Sequence, residues 1–197
     1  MGTLGIWSTI VDMRLRAGAS GFSYKEWKGP FYPDKLPNKD MLSYYAERLS
    51  TFEINNTFYR MPKRDVLFQL PPNLKKDIDR LQAFIAALPP ELRAAFEFRN
   101  ESWFDDEVYE SLRDGGHALC LADTDDTDDL NLVSTCDRGY LPLRREDYGD
   151  DAVRAWLASI QAQPWKEAFV FFKHEDEGAA PRLAARLLQL HSGSGSG

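Results

Sequence analysis

The sequence predicts an α/β domain built on parallel strands, and three observations carry that reading. Seven strand-like runs alternate with five helix signals. Several of the strand runs are apolar on both faces, as parallel strands covered by helices have to be. Polar side chains also gather at the carboxyl ends of the strands: Ser20, Asn55, Asn56, Gln69, Glu97, Arg99, Asp123, Arg144, Lys173 and His174. Parallel strands curled into a barrel bring those ends to one rim, where barrel active sites are built, so the pattern favours a TIM-barrel-like fold over an open sheet. No glycine-rich dinucleotide or phosphate-loop pattern follows any strand, which weakens the open-sheet alternative further.

The strand candidates, in order, are "LRAGASGF", "TFEINNTFYR", "VLFQL", "AAFEFR", "HALCLAD", "GYLPLRR" and "AFVFFKHED". The helices fall between them. Asn38 can cap one through about Leu49, with Leu42, Tyr45 and Leu49 on one face. Asn73 can cap the next, where Leu74, Ile78, Leu81, Ile85 and Leu88 recur at helical spacing before Pro89 and Pro90. Asp105 starts a third, ended by Gly115 and Gly116. Asp150 starts a fourth, with Val153, Trp156, Leu157 and Ile160 inward. Pro181 suits the first turn of the last, which carries Leu183, Leu187 and Leu190. One junction breaks the rhythm. Only Met61 to Asp65 separate the second and third strand runs, and a parallel crossover needs a dozen or more residues.

A chain of 197 residues can form one domain, assigned to residues 1–191, with 192–197 a flexible Ser/Gly tail. A net charge of -7 argues against an extended nucleic-acid surface. No apolar run approaches the roughly 20 residues that span a bilayer. The leading "MGTLGIWSTIVD" lacks the features of a signal peptide, so a cytoplasmic location is expected. Two cysteines, Cys120 and Cys136, make no disulfide framework.

The chemistry on offer is acid–base. Glu97 and Arg99 stand two apart in "FEFR", so on a strand they share one face while Phe96 and Phe98 take the other. Glu97 can serve there as an acid/base or as half of a buried ion pair, with Arg99 and Arg144 gripping an anion. Glu53 and Asn55 repeat the spacing, and Asn56 and Tyr59 follow. His174 stands at a strand's carboxyl end, where a proton shuttle or metal ligand is useful. The catalytic candidates are therefore Glu97, His174 and Glu53. Asn55, Asn56, Tyr59, Gln69, Arg99, Trp103, Asp123, Arg144 and Lys173 are the substrate-binding candidates. Glu53, Glu97, Asp123 and His174 can hold a divalent cation, although no spacing demands it, and the cofactor is left unassigned. The acidic "DTDDTDD" fails the calcium-loop pattern. Phe22, Tyr24, Trp27, Phe31 and Tyr32 follow the first strand and either stack a ligand over the barrel mouth or plug it.

Six motifs in this order, "SGFSYKEWKGPFYP", "YYAERLSTFEINNTFYRMP", "LFQLPP", "FEFRNESWF", "ALCLADT" and "FVFFKHEDEGAAP", resemble the YecE-like family. That is a group of uncharacterised proteins with a TIM-barrel-like fold. The resemblance covers roughly residues 14–190. It implies the fold but no reaction, since none is established for the family. It also implies a gap, because relatives carry a helix, a strand, a second helix and a lead-in where this chain has only "KRDV". Two further departures are the leading segment and Pro142, where the family pattern favours arginine. The expected fold is thus an incomplete barrel of about seven parallel strands with helices outside.

Three closures stay open. The second and third strands are not neighbours or pair antiparallel, or "LGIWSTIV" supplies a substitute strand, or a partner subunit covers the exposed edges. Self-association is expected. Two functions follow: an acid–base enzyme, with or without a metal, on a small polar or anionic metabolite, or a non-catalytic truncated or engineered scaffold.

Overall fold

A computed structural model describes residues 13–53, 65–126, 130–173 and 178–194. Seven strands form one parallel sheet: β1 (Arg14–Ser20), β2 (Phe52–Glu53), β3 (Asp65–Gln69), β4 (Arg93–Glu97), β5 (Ala118–Cys120), β6 (Arg138–Leu143) and β7 (Glu167–Phe172). Their order is β2-β1-β7-β6-β5-β4-β3. The sheet curls into a half-barrel whose two edges, β2 and β3, are the strands on either side of the short junction. They are neither neighbours nor antiparallel, and the segment that joins them, 54–64, lies outside the described residues. The leading "LGIWSTIV" lies outside the described residues.

Alternation along each strand divides the side chains. Ala94, Phe96, Phe98, Leu119, Leu121, Leu141, Leu143, Ala168, Val170 and Phe172 face outward into the main core. Five helices complete that layer: α1 (Met41–Ala46), α2 (Ile78–Ala87), α3 (Asp106–Asp114), α4 (Asp150–Gln161) and α5 (Ala179–Ser194). The inward set is smaller, a cluster of Ala95, Ala118 and Cys120 with Leu67, Cys136 and Tyr140 against it. Both cysteines are free thiols, and burial pushes each up from its usual range.

Local chemistry sets the helix ends. Asp105 caps α3 by accepting from Val108 N at 3.1 Å, and Gly116 leaves it at φ 65. Asp150 and Asp151 sit in the first turn of α4, where acidic groups suit the helix dipole. Two expected starts move. α2 begins at Ile78, not near Asn73, because Asp77 accepts from Arg80 N, while the carbonyl of Leu74 is taken by the Trp103 indole. Residues Asn38–Asp40 form a single 3-10 turn before α1, which rotates the apolar face: Met41, Tyr45 and Leu49 are buried, whereas Leu42 is exposed. At the other end α5 continues to Ser194, beyond the expected boundary at 191, and Ser192 Oγ bonds the carbonyl of Leu188.

Two details shape the rim. Tyr45 OH accepts from Ala19 N at 2.9 Å and donates to Thr51 O at 3.0 Å, standing in for a ladder bond just before β2 begins. Burial pushes that phenol up to about 12. Between β5 and β6 the ladder runs through Leu121 N to Tyr140 O and resumes with Asp123 N to Pro142 O. The bond that Leu121 O would accept between them is the one Pro142 has no hydrogen to donate, so β5 ends at Cys120.

Candidate functional site

The concave face of the half-barrel holds a trough of about 720 Å³. At the carboxyl ends of the strands its rim is polar. Glu97, at the end of β4, is 2 % exposed and surrounded by donors. Arg144, just past β6, takes both carboxylate oxygens, Nη1 on Oε1 and Nη2 on Oε2, each at 2.8 Å. Arg99 Nε reaches Oε1 at 3.0 Å and Gln69 Nε2, from the end of β3, reaches Oε2 at 2.8 Å. Burial alone would raise the Glu97 pKa, but the Arg144 fork, Gln69 and Arg99 outweigh it and hold the carboxyl below its usual range. Burial likewise works against the Arg144 charge, and Glu97 more than compensates.

A second carboxylate stands across the trough. Glu53, ending β2, accepts from Ser20 Oγ at 2.6 Å and from Tyr140 OH at 3.0 Å. Burial, then the facing Glu53 charge, pushes the Tyr140 phenol far above its normal range. Lys173, following β7, lines the same trough and is tied to the sheet through its backbone N, which bonds Leu143 O at 3.0 Å.

Of the residues expected from sequence, the fold therefore brings Glu53, Gln69, Arg99, Arg144 and Lys173 to one rim, with Glu97 held behind it by Gln69, Arg99 and Arg144. Two lie elsewhere. Asp123 is fully buried and faces the helix layer, with Arg145 Nε on Oδ1 at 2.7 Å and Tyr148 OH on Oδ2 at 2.8 Å. It sits at an odd position with Leu119 and Leu121, which points it away from the trough. Trp103 stacks on Phe98 at 4.7 Å and donates to Leu74 O, inside the outer core and not over the mouth. Asn55, Asn56, Tyr59 and His174 lie outside the described residues. Without His174, and with Asp123 turned away, the described residues contain no group of three or more His, Cys, Asp or Glu placed to hold a metal.

The early aromatics neither plug the mouth nor line the trough; they pack into the outer core against Tyr44 and Tyr45 of α1. Trp27 and Tyr32 are fully buried, with Phe31 edge-on to Trp27 and Tyr32 OH donating to Phe22 O. Sequence reasoning missed Tyr140 as a site residue, along with the whole lower end of the trough. The signal was present: Arg138, Tyr140, Pro142 and Arg144 recur every second residue on β6, as one face of a strand does.

Fold and rim define an open parallel α/β barrel with a charged pocket at the carboxyl ends of its strands. A family model described as a protein of unknown function, DUF72, matches residues 16–67 and 64–196. The chain belongs to the DUF72 family, the same family that its motifs resemble under the name YecE-like.

A DUF72 family protein from Thermotoga maritima has a similar structure, with a TM-score of 0.73 at 20 % identity over 91 % of this chain and 99 % of that one. A DUF72 family protein from Enterococcus faecalis gives 0.55 at 14 % identity over 85 % of this chain and 74 % of that one. Both likenesses concern the fold. A comparison with curated proteins gives no match. No helix among the described residues is long and apolar enough to cross a membrane.

Proposed function

We propose that the rim binds a small anionic metabolite and performs acid–base chemistry on it. The observation that carries this reading is the collar of donors around Glu97. Each oxygen of that carboxylate already accepts at least two hydrogen bonds, and these donors outweigh burial in favour of its charged form. A group so held is a poor proton carrier and a good anchor. Glu97 thus positions Arg144 and Arg99, leaving the outer donors of Arg99 and the Lys173 ammonium to grip the anion. The proton acceptor in this reading is Glu53, which is half-buried, lines the trough and, among the described residues, accepts from the neutral donors Ser20 and Tyr140.

Calorimetric titration with inorganic phosphate tests the binding step. Saturable binding is expected, weakened about tenfold or more, some 1.4 kcal/mol, by Arg99→Ala or by Lys173→Ala. Heats of dilution alone would overturn it. For the chemical step, a screen of phosphorylated and carboxylated metabolites should find a turnover that Glu53→Gln abolishes. Undiminished turnover in that variant would remove Glu53 from the role.

A second reading, a shortened barrel used as a scaffold without catalysis, is favoured by the absence, among the described residues, of any strand joining β2 to β3. It is also favoured by the two matched family segments, which meet at residues 64–67. Among the described residues the outer edges of β2 and β3 pair with no strand, and such edges invite association with a second copy.

A further inference from the structure

The rim is one end of a trough whose other end is cationic too. Arg93 and Arg99 bracket β4, six residues apart (99 − 93), and Arg138 and Arg144 repeat that spacing on β6 (144 − 138). All four line the same cavity. At about 3.3 Å per residue, the two arginine pairs lie ~20 Å apart along the strands.

Between them the lining is flat and apolar: Leu67, Ala95, Ala118, Phe169 and Phe171. Tyr140 and Phe171 have their rings 5.2 Å apart, and the one hydroxyl there is committed to Glu53. In a closed barrel layers of side chains fill this space. Here small residues line it and, among the described residues, no strand joins β2 to β3.

The lower end carries a surplus of positive charge. Glu167 is shared by Arg16 Nε and Arg93 Nη2, both at 2.7 Å. Arg138 Nη2 donates to Gly116 O at 2.8 Å, and Arg138 and Lys166 both approach Asp137. With Arg14, which opens β1 at the same end, five described cations (Arg14, Arg16, Arg93, Arg138 and Lys166) stand beside two described carboxylates, Glu167 and Asp137, in a chain of net charge -7.

We propose that the trough takes an elongated ligand with an anionic group at each end and a flat or apolar middle. The first anion sits at the Arg99, Arg144 and Lys173 rim, and Arg93 and Arg138 meet the second. This rests on the rim reading given above and names the class of its ligand.

The test is calorimetry on the full chain with linear dicarboxylates from succinate to dodecanedioate. Dodecanoate serves as the single-anion control and inorganic phosphate as the rim probe. Affinity should rise with length, and dodecanedioate should bind about tenfold or more tighter than dodecanoate, the difference of one extra anion contact. Arg138→Gln should abolish that advantage, while the phosphate binding that Arg99→Ala weakens should persist. Equal affinity for dodecanoate and dodecanedioate, or an optimum at succinate, would overturn the inference while leaving the rim intact. Phosphate failing to bind while dodecanedioate binds would instead remove the rim reading, and failure of every anion would remove both.

Discussion

Arg144 meets Glu97 head-on, two nitrogens on two oxygens at 2.8 Å, with the carboxylate side chain 3 % exposed and the guanidinium 17 % exposed. Removing one partner from such a pair leaves a buried charge without its counterion. Glu97→Ala should therefore lower stability by about 3–5 kcal/mol in urea denaturation. A loss under about 1 kcal/mol, the value of an exposed pair, would show the carboxylate to be far better solvated than this geometry allows.

The same pair makes stability depend on acid. Donors hold the Glu97 pKa below its ordinary 4.5, so its contribution is present above that value and is lost as pH falls through the depressed one. Unfolding free energy should decline with increasing steepness below pH 4.5, and Glu97→Gln should flatten that decline. Parallel acid profiles for the two proteins would mean that other carboxylates carry the effect.

Pro142 interrupts the β5–β6 ladder at one bond. Pro142→Val would provide the hydrogen that Leu121 O is placed to accept. In native-state hydrogen exchange the new amide at position 142 should be protected like that of Leu143. Fast exchange there would indicate that the strands have parted for another reason.

Open edges at β2 and β3 bear on assembly. Light scattering at micromolar concentration should give a mass above the 22.5 kDa of one chain. A strictly monomeric mass at every concentration would show that the edges are covered from within.

Strand positions were legible from sequence because they depend on short, local signals. Each of the seven runs contains a strand, the second beyond Glu53 lying outside the described residues, and the two-residue spacing of Glu97 and Arg99 put both on one face as expected. Helix starts were less legible wherever a competing acceptor or cap lay a few residues away. Asn73 lost to Asp77 for that reason. Asp123 shows the limit more sharply. Its place at a strand end was readable, but its face depends on parity with Leu119 and Leu121, and its partners Arg145 and Tyr148 come from the loop after β6. The role of Glu97 could not be read from its own strand, because Arg144 and Gln69 approach it from two others. The lower arginines, Arg93 and Arg138, open β4 and β6 at the amino ends of the strands, and only the curl of the sheet joins them to the rim in one trough.

The central claim, an anion site at the rim, is tested most directly by anomalous diffraction from crystals soaked in selenate. The account predicts a selenium peak within hydrogen-bonding distance of Arg99 and Lys173, beside the Arg144–Glu97 pair, that disappears in the Arg99→Ala variant. Selenium sites confined to the outer, helix-covered surface would contradict it.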